Sequence, residues 1–150
     1  MAAWGVFAAA APEMAGRGAA LLDMGVAFIA TTGRDGSPRL HPFAPLISEG
    51  RLLAFIGTHT VKYHNLRRDA RYSIDAMLGK DDEEFVVTGR AVVSDDWASR
   101  MQAAAEARKI DMTSKNDVAF EFTIEFAHWA IWRGLGTPDL RREAEAWRAG

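Results

Sequence analysis

The sequence contains no cysteine, which excludes disulfides, thiolate metal sites and thiol catalysis. It also lacks a dominant charge. Lys and Arg (18) nearly balance Asp and Glu (20), for a formal net charge of −2, so no overall field recruits nucleic acid or an anionic membrane. Any basic site must be local. No apolar run reaches the roughly 18 residues that a membrane helix needs, because Arg17, Asp23, Arg34 and later charges interrupt every candidate. The alanine-rich opening, Met1 to Ala11, has no Lys or Arg before Arg17 and so lacks the positive leading region of a secretory signal. The reading is a cytoplasmic protein with neither nucleic-acid nor membrane partners. Proline is scarce, five in all, yet Pro38, Pro42 and Pro45 fall within eight consecutive residues.

What is present is a chain of 150 residues, 49% hydrophobic and 25% charged, the profile of one globular domain spanning 1–150. A chain of this length buries roughly 70% of its unfolded surface and needs no staple. Residues 12–24 carry Met14, Ala15, Ala19, Leu21 and Leu22 at helical spacing, with Pro12 at the start and Gly25 at the stop. Val26 to Thr32 then reads as a strand, and Asp35-Gly36 as a tight two-residue hairpin turn.

The returning strand, about Pro38 to Ile47, must be an edge or bulged, since each proline lacks a ladder amide. A second hairpin turn at Glu49-Gly50 leads to a buried strand, Arg51 to Ile56, ended by Gly57. Thr58 and Thr60 offer helix caps, and Val61 to Asp69 continues as a short helix. Strands follow at Arg71 to Met77 and Glu84 to Ser94, the latter bent at Gly89, with an acidic solvated loop at 80–83 between them. Asp95 or Asp96 caps a helix to about Lys109, two strands occupy Val118 to Phe126 and His128 to Arg133, and 134–150 is a tail. In the first of those strands Phe120, Phe122, Ile124 and Phe126 alternate with polar residues. Hairpins with few helices predict a mainly β fold, an antiparallel barrel with helices packed outside.

One segment carries chemistry. A strand that ends in Gly57, followed by Thr58 and Thr60 at a helix start and Lys62 one step in, aims hydroxyls, free amides and a cation at one point. That is a phosphate site in physical terms. The histidines, His41, His59, His64 and His128, make no zinc pattern with neighbouring carboxylates. They read as surface or site-rim residues, and His41 is the best placed to touch a ligand. Trp129 and Trp132 read as core or interface anchors, with one tryptophan covering a cofactor ring from the partner chain as the functional alternative. Arg67, Arg68 and Arg71 suit a helix end, where cations favour the dipole. Arg39 and Arg90 are weaker contact candidates.

Across about residues 12–133 the chain resembles the pyridoxamine 5′-phosphate oxidase-like FMN-binding split barrels. The resemblance rests on the hairpin Ala30-Thr31-Thr32-Gly33-Arg34-Asp35-Gly36-Ser37-Pro38, on His41-Pro42, on Phe55 to Lys62, and on Asn65-Leu66-Arg67-Arg68-Asp69-Ala70-Arg71. It implies an antiparallel Greek-key split β-barrel that binds FMN and transfers hydride to a small molecule. Thr60 and Lys62 would hold the cofactor phosphate, and Thr58, Val61 and Asn65 would be among the other cofactor-binding residues. The backbone at His41, Pro42, Phe43, Phe55 and Ile56 would lie along the flavin ring, with Trp129 beside it. The resemblance further implies a homodimer with two cofactor sites at the interface. Three departures stand out: Val61 replaces an arginine common in relatives, Glu84 falls near a glutamine of the oxidases, and their C-terminal Trp and Arg substrate motif has no match. These argue against vitamin B6 oxidation itself. Two alternatives share the fold: a reductase using the deazaflavin F420, and a non-enzymatic module that stores flavin or binds haem through a histidine.

Overall fold

The computed structural model describes residues 1–94, 106 and 116–150. Among the described residues the named α-helices and strands run in the order α1 (Trp4–Ala10), α2 (Pro12–Leu22), β1 (Ala27–Thr32), β2 (Pro38–Phe43), β3 (Leu46–Ser48), β4 (Arg51–Gly57), α3 (Val61–Arg68), β5 (Arg71–Ala76), β6 (Glu84–Val93), β7 (Asp117–Arg133) and β8 (Arg141–Arg148). Apart from Glu106, the helix expected between Asp95 and Lys109 lies outside the described residues.

All strands join one antiparallel sheet in the order β2-β1-β5-β6-β7-β4-β3, with β8 also on β7. The key element is β7, whose 17 residues extend over roughly 55 Å at strand rise. That length lets two partners share one edge: β4 pairs with Asp117 to Glu121 and β8 with Phe126 to Arg133. The sequence predicts two strands here because its alternation breaks at Ala127. The structure keeps one strand and inserts a bulge, seen as a register shift opposite Thr88 and Gly89. Before the bulge Phe120, Phe122 and Ile124 enter the core; after it Ala127, Trp129 and Ile131 do. Phe126, expected on the core face, is turned to the other side and packs under the Arg148 guanidinium at 4.6 Å. Gly89 is required here because a Cβ would stand 1.9 Å from the Thr123 carbonyl oxygen.

The prolines act as expected. β2 is one end of the sheet and β3 the other, so the predicted 38–47 strand is split between two edges. The Glu49-Gly50 turn is the tight one, with positive φ at both residues (48° and 73°) between paired Ser48 and Arg51. Asp35-Gly36 is not. Thr32 pairs with Pro38, leaving a five-residue loop, because the Asp35 carboxylate accepts from the Ser37 amide and the Gly33 amide donates to the Ser37 carbonyl.

Two further elements depart from the sequence reading. The alanine-rich opening holds α1, whose Trp4 and Phe7, three apart, bury against Phe85. The expected tail at 134–150 folds back as β8, which pairs with the second half of β7 and sets Trp147 against Phe7. α2 ends at Leu22, two residues before the expected end at Met24. Among the described residues no helix is long and apolar enough to cross a membrane.

Candidate functional site

The barrel is split because its end strands do not close on one another. β3 covers β4 only as far as Leu53, so the stretch from Ala54 to Gly57 pairs with β7 on one side and with no described strand on the other. Among the described strands β2 likewise has β1 as its single neighbour. Unpaired strand edges leave backbone amides and carbonyls open to a planar polar ligand.

The seam ends at the turn after β4. The Thr58 amide donates to the Asn116 carbonyl (3.0 Å) and the Thr60 amide to the Gly57 carbonyl (3.0 Å), which fixes the turn against the start of β7. Thr60 caps α3: its Oγ1 accepts from the Tyr63 amide at 3.3 Å and donates to the Gly57 carbonyl at 2.8 Å. Its hydrogen is therefore committed to the protein. The hydroxyl of Thr58 has no protein partner among the described residues, so Thr58 is the better-placed hydroxyl donor. The first amides of α3, at Val61 and Lys62, have no intrahelical acceptor by position. Val61 itself is 57% exposed.

Lys62 is half-buried. Burial pushes its ammonium below the ordinary lysine range, and the nearby Asp117 carboxylate offsets this only in part. His41, opposite Ile29 in the β1–β2 ladder, faces the same region across the seam. Burial, then the charges of Lys62 and Arg39, hold its imidazole below the usual histidine range. Both effects favour the uncharged ring. Its Nε2 is buried with no hydrogen-bond partner among the described residues, a state that costs roughly 1–3 kcal/mol unless something satisfies it. The structure thus brings together His41, Thr58 and Lys62, with Asp117 as an added member that no sequence pattern marked.

The remaining candidates divide. Pro42 is exposed beside His41. Phe43 turns its ring inward, edge-on to Phe122 at 5.9 Å, and Ile56 is fully in the core. Phe55 packs on the opposite face of β4 with Leu53 and Ala119. These three can offer the site only their backbone. Asn65 is 4% exposed and spends its amide inside the protein, donating to Thr31 Oγ1 at 3.0 Å and accepting from Arg68 at 3.0 Å; it clamps α3 to β1. Trp129 does not join the group. It is 2% exposed, its indole N–H donates to Glu83 at 2.7 Å, and Arg17 covers its ring at 4.2 Å, because the bulge in β7 turns it into the core. Glu84 is also elsewhere, paired with Arg142 at 2.5 Å beside His128. Among the described residues no cluster of His and carboxylates could hold a metal.

No protein-family model matches the chain, and no curated protein matches it. Solved structures do. A protein of the pyridoxinephosphate oxidase family related to general stress protein 26, from Clostridium acetobutylicum, superposes with a TM-score of 0.62 at 14% identity, covering 87% of this chain and 90% of that one. A haem-binding protein from Mycobacterium smegmatis gives 0.61 at 17% identity over 86% of this chain, which spans only 57% of its length. The haem storage protein HutZ from Vibrio cholerae gives 0.60 at 15% identity, covering 77% and 89%. Identities this low speak to fold, and the chain has the antiparallel split-barrel fold of the pyridoxamine 5′-phosphate oxidase-like proteins.

Proposed function

We propose that the chain is an FMN-binding oxidoreductase, with the cofactor phosphate at Thr58, Lys62 and the first amides of α3 and the ring along the seam between β2 and β4. The observation that carries this reading is the unpartnered, buried Nε2 of His41 beside the half-buried Lys62. Both groups are costly as they stand, and an anionic, hydrogen-bonding ligand relieves both. The residues therefore fit the group. Bound flavin supplies hydride and electron transfer, while the protein binds, orients and screens it. The helix start contributes positive potential where the phosphate sits. Neutral His41 offers one donor and one acceptor to the ring or its side chain.

The same reading includes a homodimer. The outer face of the sheet presents Phe28, Leu40, Val86, Phe126 and Trp132, exposed or half-buried in the single chain, and Leu40 is 66% exposed. Such a face is consistent with association of two copies, each closing the other's seam.

A second reading is favoured by the chemistry of His41. An uncharged imidazole with a free, buried Nε2 is also a metal-ligating donor, and two proteins of similar fold bind or store haem. The absorbance spectrum of the isolated protein separates the two. Flavin bands support the first reading, and a Soret band lost in His41→Ala supports the second. Colourless protein that ignores FMN but binds F420 moves the assignment to the deazaflavin on the same fold.

A further inference from the structure

At the far end of α3 from Lys62 lies a concavity of about 600 Å³ between the β1–β2 loop, the helix end and the strands β5 and β6. Five arginines line it: Arg34, Arg67, Arg68, Arg71 and Arg90. Glycines Gly33 and Gly36 line it too, so a ligand can approach the backbone closely.

The charges here are not balanced. Arg71 forms a two-point pair with Asp69, and Arg90 lies 3.5 Å from Glu125. Arg34, Arg67 and Arg68 meet no carboxylate among the described residues. The Arg68 guanidinium is nonetheless fixed, donating to the Thr32 carbonyl at 2.5 Å and to Asn65 Oδ1 at 3.0 Å. Both acceptors are neutral, so a held cation keeps its full charge. Arg71 and Arg90 sit directly opposite each other in the β5–β6 ladder, a like-charge pairing that destabilises a sheet. A chain with net charge −2 therefore concentrates an excess of three positive charges in one groove. A solvated helix end explains Arg67 and Arg68, but not Arg34 from another loop or the Arg71–Arg90 pairing.

We infer that this groove is a second anion site, distinct from the turn at Thr58 to Lys62, and that it takes an extended small molecule bearing two or more phosphate or carboxylate groups. Planar guanidinium forks suit both groups, since each accepts two parallel hydrogen bonds. The α3 helix of eight residues separates the two sites by roughly 12 Å, so they can be tested independently.

The test is calorimetric titration of the full chain at physiological salt with two probes, inorganic tripolyphosphate and triglutamate. The expected result is saturable binding of at least one probe, weakened at least tenfold in the double variant Arg34→Gln, Arg67→Gln. Both residues are exposed and have no partner among the described residues, so an unchanged melting midpoint should accompany the loss. Lys62→Ala and the remote Arg141→Gln should leave binding unchanged. Binding of tripolyphosphate alone identifies phosphate as the recognised group, and binding of triglutamate alone identifies carboxylate. Absence of saturable binding, unaltered affinity in the double variant, or an equal loss in Arg141→Gln overturns the inference.

Discussion

Replacing Gly89 with alanine places a methyl group where the opposite strand already is. The new Cβ would lie 1.9 Å from the Thr123 carbonyl oxygen, 2.9 Å from its carbon and 3.1 Å from the Glu125 amide nitrogen, against 3.4 Å or more for ordinary contact. All three atoms are backbone, so no side-chain rotation relieves the overlap. β6 must move about 1.5 Å from β7 at this point, with an overpacking cost of about 1–3 kcal/mol. Two or so ladder hydrogen bonds are strained with it, at roughly 0.5–1.5 kcal/mol each. The sum is about 2–6 kcal/mol, which for a chain of this size lowers Tm by roughly 4–24 °C. Urea unfolding followed by circular dichroism measures it, with Gly16→Ala as a control at an exposed position of α2 where a Cβ meets nothing within 4 Å. A Gly89→Ala protein within about 0.5 kcal/mol of the parent would refute the bulge geometry opposite Gly89.

Other expectations concern the site and its supports. The folded-state pKa of His41 is depressed, so protonation disfavours the folded chain: ligand-free stability should fall as pH drops through the range below 6.5, and His41→Gln should flatten that slope in acid unfolding curves. Asn65→Ala strands Thr31 Oγ1 and removes one Arg68 acceptor, and should cost about 1–3 kcal/mol in denaturant. Thr60→Ala deletes the cap of α3 and should cost about 0.5–2 kcal/mol; because the Thr60 hydrogen already serves Gly57, FMN affinity should change less than in Thr58→Ala, as fluorescence titration would show.

Much of this was readable from residue order, for reasons visible in particular elements. β1 alternates buried and half-buried positions through Ala27 to Thr32, and β4 is a short apolar run ended by glycine, so period and punctuation agreed with the final packing. The cap at Thr60 and the hairpin at Glu49-Gly50 are local chemistry and survive in any context. What escaped is tertiary. β8 has no β-branched residue and, apart from Trp147, is exposed throughout; it is a strand because β7 offers a free edge. α1 depends on two aromatics docking on Phe85. The bulge opposite Gly89 reverses which residues of β7 face inward, so the inward turn of Trp129 depends on a break that an alternation pattern reads as a strand end.

The site shows the same division. Lys62 and Thr58 stand out because a strand, a turn and a helix start follow one another directly. Asp117 does not, since it reaches Lys62 only through the β4–β7 pairing. His41 stands out in the sequence only by position, and its meaning comes from a buried nitrogen that only the fold leaves without a partner among the described residues.

The central claim is that Lys62 and its turn hold the phosphate of a flavin. The direct measurement is FMN titration, by quenching of flavin fluorescence, of the parent protein and of Lys62→Met, a variant that keeps most of the apolar stem and removes the charge. A charge-assisted contact of about 1.5–3 kcal/mol predicts saturable binding by the parent and roughly 10- to 150-fold weaker binding by the variant, with thermal stability of the ligand-free chain unchanged or raised because a desolvated ammonium is gone. Equal affinity in the two proteins, or no FMN binding by the parent, would contradict the account.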